Sequence, residues 1–180
     1  MSIGPTFSPQ ELVLQCKKGN PQAYKQLYDQ YAPQMMGLCM RYARSKEEAQ
    51  DLLHDGFVRV LTNVKKISDD SVMGAWVHKV ILNTCINHVN RRAQTFVDIT
   101  AIEGALVSSE NGFDEYDAQY LVSVVQGLPD KYRLVFNMRE VDGCSYEEIA
   151  AQLHMEQSSV RSLLARARNM IIEKLKQDER

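Results

Sequence analysis

The chain has 180 residues, of which 44% are hydrophobic and 24% are charged, and its net charge at neutral pH is −2. This length suits one domain or two small ones, and the composition excludes both a disordered chain and a polybasic nucleic-acid-binding protein. The four cysteines lie far apart, which favours free thiols over a disulfide framework. Because no apolar run approaches the roughly 18 residues of a membrane span, we expect a soluble, cytoplasmic protein.

The first 92 residues carry the apolar periodicity of four helices. Capping boxes predict that the first helix begins at Ser8 and the third at Ser45. An Asn-Pro pair at Asn20 begins the second helix, in which Pro33 predicts a bend, and the fourth begins after Ser71. The residues expected to face the core from the fourth helix are Trp76, Val80, Ile81, Cys85 and Val89.

The next segment differs in composition. From Ala93 to Gly127 the chain carries six acids and no Lys or Arg, and its centre is rich in turn residues. This pattern predicts an acidic linker over residues 93–117. No strand pattern is found on either side of it. The predicted fold is therefore all-α, with two small helical domains, 1–92 and 118–180, joined by the linker.

The second domain contains a short helix, a turn and a longer helix. Ser145 and Glu148 form a capping box, and the apolar period is interrupted from His154 to Glu156 before it resumes. The polar residues of the longer helix, which carries no acid between Gln157 and Ile172, are Ser158, Ser159, Arg161, Ser162, Arg166 and Arg168. Hydroxyl and guanidinium groups suit phosphate and base-edge contacts in a major groove. The pattern predicts a DNA recognition helix, with an ordinary helical hairpin as an equal alternative.

Three stretches form motifs that occur in a fixed order. The first two are EEAQDLLHDGFVRVLTNV and MGAWVHKVILNTCINHVNRR, and the third is LPDKYRLVFNMREVDGCSYEEIAAQLHMEQSSVRSLLARARNMIIEKL. They resemble the polymerase-binding helix, the promoter-melting helix and the promoter-binding domain of bacterial sigma factors. Since only these two domains are present, the resemblance is to the extracytoplasmic-function (ECF) group. It implies a transcription initiation factor that binds core RNA polymerase, through its β′ and β subunits, and promoter DNA.

The resemblance also assigns roles to individual residues. The positions that match the polymerase-binding surface are Asp51, His54, Asp55 and Arg59. Those that match the contacts to the −10 element and its melting are Ile67, Lys79, Asn83, Arg91 and Arg92. Those that match the −35 contacts are Ser158, Ser159, Arg161, Ser162, Ala165 and Arg166. Without the resemblance, a solvated helix face would be the favoured interpretation of the first set.

The chain departs from the family pattern at Gly56, Ile67, His154, Glu156, Leu163 and Ala165. Gly56 lies inside the third helix, where it either costs up to about 1 kcal/mol relative to Ala or marks close packing. His154 stands where a turn glycine is usual, so we expect a left-handed backbone there. Because the remaining departures fall among the DNA-contacting positions, we expect promoter preferences that differ from those of well-known relatives.

Other classes of protein are less consistent with the sequence. It has no Gly-rich phosphate loop, nucleophile elbow or metal-spaced ligand set, so we expect no enzyme activity, cofactor or metal. A stand-alone helix-turn-helix regulator and an all-helical protein-binding adaptor remain alternatives to the sigma factor. The resemblance adds an anti-sigma factor to the expected partners.

Overall fold

The computed structural model describes residues 6–67, 72–95 and 116–178. In these ranges all regular structure is helical, as predicted. The α-helices are α1 (Pro9–Lys17), α2 (Pro21–Tyr42), α3 (Lys46–Asn63), α4 (Met73–Thr95), α5 (Tyr116–Gln126), α6 (Asp130–Phe136), α7 (Tyr146–Leu153) and α8 (Gln157–Asp178). A 3-10 turn, Val64–Lys66, follows α3, and a π-helical turn, Asn137–Val141, follows α6. None of the described helices is long and apolar enough to cross a membrane.

The helices begin where the capping residues predict. The boxes at Ser8 and Ser145 are complete, with the cap hydroxyl and the third-residue glutamate each accepting from a backbone N–H. At Ser45 the cap is only half a box. Its hydroxyl accepts from the Glu48 N–H at 3.2 Å, but the Glu48 carboxylate accepts from the Arg44 N–H at 2.6 Å. Local side-chain chemistry therefore determines these starts.

The chain divides into two compact units, Met1–Cys85 and Ile86–Arg180. The boundary lies inside α4, whereas the predicted linker over residues 93–117 falls largely outside the described residues. The domain division made from the sequence therefore stays a prediction. In the first unit, α2 packs on α3 and α1, and α2 remains one continuous helix through Pro33.

The buried stripe of α4 is rotated relative to the prediction. Trp76 and Val80, which were expected in the core, are only half-buried. Most of the buried residues follow one i, i+4 series instead, at Met73, Val77, Ile81, Cys85, Val89 and Ala93, and Thr84 and Ile86 are buried beside it. The prediction was wrong for Trp76 and Val80 because they lie one residue before this series, about 100° around the helix.

Gly56 marks a close approach between α3 and α4. A Cβ atom added to Gly56 would lie 2.8 Å from Cγ1 of Ile81, whose side chain is fully buried. Real Cβ atoms essentially never come so close to a neighbour, so the helices pack at a distance that only glycine allows. The predicted packing role of this glycine is confirmed.

In the second unit α8 packs on α6 and α7. The short turn between α7 and α8 passes through His154, whose φ of 54° and ψ of 49° are left-handed, as predicted. This conformation ends α7, and the Met155 N–H then donates to the Ala150 carbonyl at 3.0 Å. The turn fixes the direction in which α8 leaves α7.

A buried charge cluster occupies the start of α6. Arg133, 1% exposed, donates Nη2 to Oδ1 of Asp130 at 2.6 Å and Nη1 to the carbonyl oxygens of Gln126 and Leu128. Arg92, near the end of α4, contacts both oxygens of the same carboxylate, at 2.6 and 2.9 Å. These bonds satisfy the Asp130 charge that burial would otherwise penalise.

Candidate nucleic-acid and polymerase interfaces

One face of α8 carries all the residues predicted to contact the −35 element. The exposed residues of this face are Ser158, Ser159, Arg161, Ser162, Ala165 and Arg166. The opposite face is buried against the unit through Val160, Leu164 and Ala167. The helical period thus separates a packing side from a polar, basic side.

The N-terminus of α8 adds backbone donors to this face. Ser158 lies in the first turn, where backbone N–H groups lack intrahelical partners and the helix dipole favours anions, whereas the Ser159 N–H donates to the Glu156 carbonyl at 3.0 Å. The Ser162 hydroxyl donates to the Ser158 carbonyl at 3.0 Å, so its lone pairs remain as acceptors. These groups suit contact with phosphate oxygens and with base donors.

The three arginines of α8 have different surroundings. Cζ of Arg161 lies 5.2 Å from the centroid of the Tyr146 ring. Nη2 of Arg168 donates to Oε1 of Glu140 at 2.7 Å. Arg166 makes neither kind of contact with any part of the chain that the structure describes. The sequence treats these three residues alike, whereas the fold leaves Arg161 and Arg166 with unused donors and pairs Arg168.

The residues that sequence reasoning missed lie in the π-helical turn and at the first position of α7. Tyr146, Arg139 and Glu140 surround the base of the recognition helix, and the latter two come from the π-helical turn. No periodic pattern could have revealed them because π-turns have no sequence period of their own. The available signal in the sequence was the adjacent pair of a base and an acid, Arg139 and Glu140, ahead of the capping box at Ser145.

The residues predicted to contact the −10 element are distributed unevenly over the surface. Lys79 and Arg91 are exposed on α4, and Asn83 lies half-buried between them. Ile67 is 4% exposed, so its side chain packs in the interior and presents little surface. The Arg92 guanidinium is bound to the Asp130 carboxylate described above. Two of the five predicted residues, Lys79 and Arg91, therefore present exposed cations on α4.

The residues predicted to bind polymerase form a continuous exposed stripe on α3. The i, i+3 and i+4 spacings place Asp51, His54, Asp55 and Arg59 on one helical face, and all four are exposed. Val58, 51% exposed, lies among them. The stripe therefore combines both charge signs with one apolar side chain.

Several pKa values are shifted by the fold. The backbone N–H and the hydroxyl of Ser145 hold the pKa of Glu148 below its usual value of 4.5. Hydrogen bonds from Tyr120 and Lys174 lower the pKa of Asp178. Burial raises the pKa of the Cys16 thiol to about 11, so this cysteine stays protonated and unreactive at neutral pH. None of these groups forms an acid–base pair of the kind catalysis requires.

Metal binding has no support in the described ranges. No group of three or more His, Cys, Asp or Glu side chains lies close enough together there to hold an ion. Cys39 and Cys85 have their sulfur atoms 3.8 Å apart, but both side chains are fully buried in the core of the first unit.

Two family descriptions match the chain. Residues 27–95 match "Sigma-70 region 2", and residues 118–171 match "Sigma-70, region 4". Among curated proteins, the RNA polymerase sigma-H factor of Pseudomonas aeruginosa is 27% identical, covering 90% of this chain and 91% of that protein. The ECF RNA polymerase sigma-E factor of Escherichia coli K12 is 29% identical, covering 94% of this chain and 95% of that protein.

Two solved structures share the fold. The structure of CnrH in complex with the cytosolic domain of CnrY covers 93% of this chain and 96% of that chain, with 20% identity and a TM-score of 0.50. The structure of the sigma factor RpoE in complex with the anti-sigma factor NepR from Bartonella quintana covers 85% and 96%, with 21% identity and a TM-score of 0.51. At these identities the likeness concerns the fold alone.

Proposed function

The chain belongs to the ECF-type RNA polymerase sigma factors, with sigma-70 regions 2 and 4, and from this premise we propose how its residues divide the work. A factor of this group directs RNA polymerase to promoters and is not itself an enzyme. We assign −35 recognition to α8, −10 recognition to α4 and polymerase binding to α3.

The assignment of −35 recognition rests on the exposed face of α8. This one observation carries the proposal: six polar or small residues share a surface that has no acid from Gln157 to Ile172. A guanidinium fork can bind both O6 and N7 of guanine, and seryl hydroxyls and helix N-terminal N–H groups can bind phosphates. Arg161 and Arg166 would contact bases, and Ser158 and Ser159 would position the helix on the backbone.

The assignment of −10 recognition rests on α4. A base extruded from the opened strand needs a group that reads its edge, and its phosphates need cations. Asn83 would supply the amide, and Lys79 and Arg91 the cations, because both cations are exposed on α4 and Asn83 is half-buried. Ile67 would shape the loop from its buried position. Arg92 would take part only after it leaves Asp130.

The assignment of polymerase binding rests on the exposed stripe of α3. An apolar centre with a charged rim is the usual composition of a protein interface. Val58 supplies the centre, and Asp51, Asp55 and Arg59 supply the rim. We propose that this stripe binds the β′ subunit, and that the boundaries 1–92, 93–117 and 118–180 separate the polymerase-binding domain, the acidic linker and the −35 domain.

We further propose that an anti-sigma factor is a partner of this chain. We also propose that the chain acts in the cytoplasm, where RNA polymerase works. The support is that both solved structures named above are complexes, one with an anti-sigma factor and one with the cytosolic domain of CnrY. Such a partner would control the factor by covering the surfaces on α3, α4 or α8.

Substitutions on α3 and α8 test the assignment of polymerase binding to α3 and of −35 recognition to α8. Asp55→Arg should weaken binding of core polymerase, measured by competition with labelled wild-type chain, while Asp29→Arg on the exposed part of α2 should not. Arg166→Ala should leave polymerase binding intact and weaken binding of the holoenzyme to a −35 promoter fragment by about 1 to 3 kcal/mol. An equal loss of polymerase binding in Arg161→Ala and Arg166→Ala would show that the assignment of the two regions is wrong.

A further inference from the structure

Tyr146, the first residue of α7, lies against two arginine side chains. Cζ of Arg139 is 4.7 Å and Cζ of Arg161 is 5.2 Å from the centroid of its ring. Both distances fall within the roughly 6 Å over which an aromatic face attracts a cation. Arg139 belongs to the π-helical turn and Arg161 to α8, so one ring connects the two segments that border α7.

The ring itself is held in place. Tyr146 is half-buried, and the box between Ser145 and Glu148 fixes the first turn of α7 from which it projects. Arg139 is fixed in turn, because its Nη1 donates to the Cys144 carbonyl at 2.9 Å. Tyr146 is therefore a firm platform, whereas most exposed side chains of this surface have no comparable support.

Arg161 depends on this platform for its orientation. It makes no hydrogen bond or ion pair with the residues in 6–67, 72–95 and 116–178, and its side chain is exposed. A cation–π contact uses the charge of the guanidinium and leaves its five N–H donors available. An arginine held in this way loses less conformational freedom when it binds a base edge.

We propose that Tyr146 is a positioning residue for −35 recognition, which orients the Arg161 guanidinium toward a base edge in the major groove. The inference rests on the proposed −35 role of Arg161. The proposal applies to Arg161 and not to Arg166, the other arginine proposed to contact DNA, because Arg166 has no contact with the ring. Removing the ring should therefore reduce discrimination at the base pairs that Arg161 contacts and leave discrimination at those that Arg166 contacts unchanged.

The test uses the full chain bound to core polymerase and promoter fragments in which each −35 base pair is replaced in turn. Tyr146→Leu should weaken binding between about twofold and fivefold, the range expected for loss of one exposed cation–π contact. The loss should fall on the base pairs that Arg161→Ala ceases to discriminate. Tyr146→Phe should behave as wild type because it keeps the ring.

A double-mutant cycle isolates the coupling. Tyr146→Leu should add no further loss to Arg161→Ala, but its loss should add in full to that of Arg166→Ala. Thermal unfolding of each variant checks that it is folded, and Tyr146→Phe keeps the test decisive if Tyr146→Leu is unstable.

Three results would overturn the inference. The first is additivity of Tyr146→Leu with Arg161→Ala. The second is a loss in Tyr146→Phe as large as in Tyr146→Leu, which would assign the effect to the hydroxyl. The third is a uniform loss at every −35 sequence, which would indicate a phosphate contact. If Arg161→Ala itself left binding unchanged, the proposed −35 role of Arg161 would fail, and this inference with it.

Discussion

Arg168 of α8 donates Nη2 to Oε1 of Glu140 at 2.7 Å, which ties the recognition helix to the π-helical turn before α7. Arg166, two residues earlier, has no such contact in the described ranges. Arg168 therefore fastens α8 to the turn, whereas Arg166 is exposed.

This difference predicts opposite effects of two alanine substitutions. Arg166→Ala should weaken −35 binding by about 1 to 3 kcal/mol without changing stability. Arg168→Ala should instead lower the free energy of unfolding by no more than about 1 kcal/mol, because the pair is partly exposed to solvent. Fluorescence titration of the holoenzyme and urea unfolding measure the two quantities. A loss of −35 binding in Arg168→Ala equal to that in Arg166→Ala would contradict the distinction.

Gly56 should resist replacement although it lies inside a helix. Alanine there gains about 1 kcal/mol of helix propensity, but its Cβ would overlap Ile81, and overpacking a core costs about 1 to 3 kcal/mol. We expect Gly56→Ala to be destabilised by about 1 kcal/mol in urea unfolding.

Gly37 of α2 provides the matched control. A Cβ added there meets nothing within 4 Å, so Gly37→Ala should stabilise the chain by about 1 kcal/mol through propensity alone. Stabilisation by both substitutions would mean that α3 and α4 are not packed as closely as the structure has them.

His154 should be improved by glycine. A left-handed conformation costs a residue with a Cβ about 1 to 2 kcal/mol, and glycine avoids this cost. The larger conformational entropy that glycine loses on folding offsets about 0.5 to 1 kcal/mol of that gain. We therefore expect His154→Gly to raise the free energy of unfolding by about 0.5 to 1 kcal/mol. Ala151→Gly, on the exposed side of α7, should lower it by about 1 kcal/mol. Destabilisation by His154→Gly would mean that the imidazole makes a favourable contact.

Glu148 should make stability depend on pH in the acid range. Its pKa is held below 4.5 in the folded state by the donors of Ser145, so its contribution is fully present above pH 4.5. That contribution is lost as the pH falls through the lowered pKa. Glu148→Gln keeps a capping side chain but does not titrate, so its stability deficit relative to wild type should shrink below pH 4.5. A deficit that is constant from pH 6 to 3 in urea unfolding would contradict this.

The features that the sequence predicted are those fixed by nearby residues. Ser8 and Ser145 act on backbone groups three residues away, and the face of α8 follows from its own period. The interruption between two periodic runs predicted the turn, whereas the left-handed backbone at His154 was expected only from the resemblance, in which a turn glycine is usual there. The helix starts and the exposed face of α8 were therefore accessible without a structure.

The features that the sequence did not predict depend on distant residues. Arg92 reaches the buried Asp130 carboxylate from 38 residues away. The contact of Tyr146 with Arg161 likewise joins two helices across a turn. Periodicity gives a residue's side of a helix but not its partner.

The most direct test of the central claim is run-off transcription over genomic DNA with purified core polymerase, with the transcript starts sequenced. Wild-type chain should give transcripts from promoters that share a −10 and a −35 element. The Arg161→Ala/Arg166→Ala double variant should still bind polymerase but lose initiation at those promoters. Unchanged initiation by the double variant at the same promoters would contradict the account.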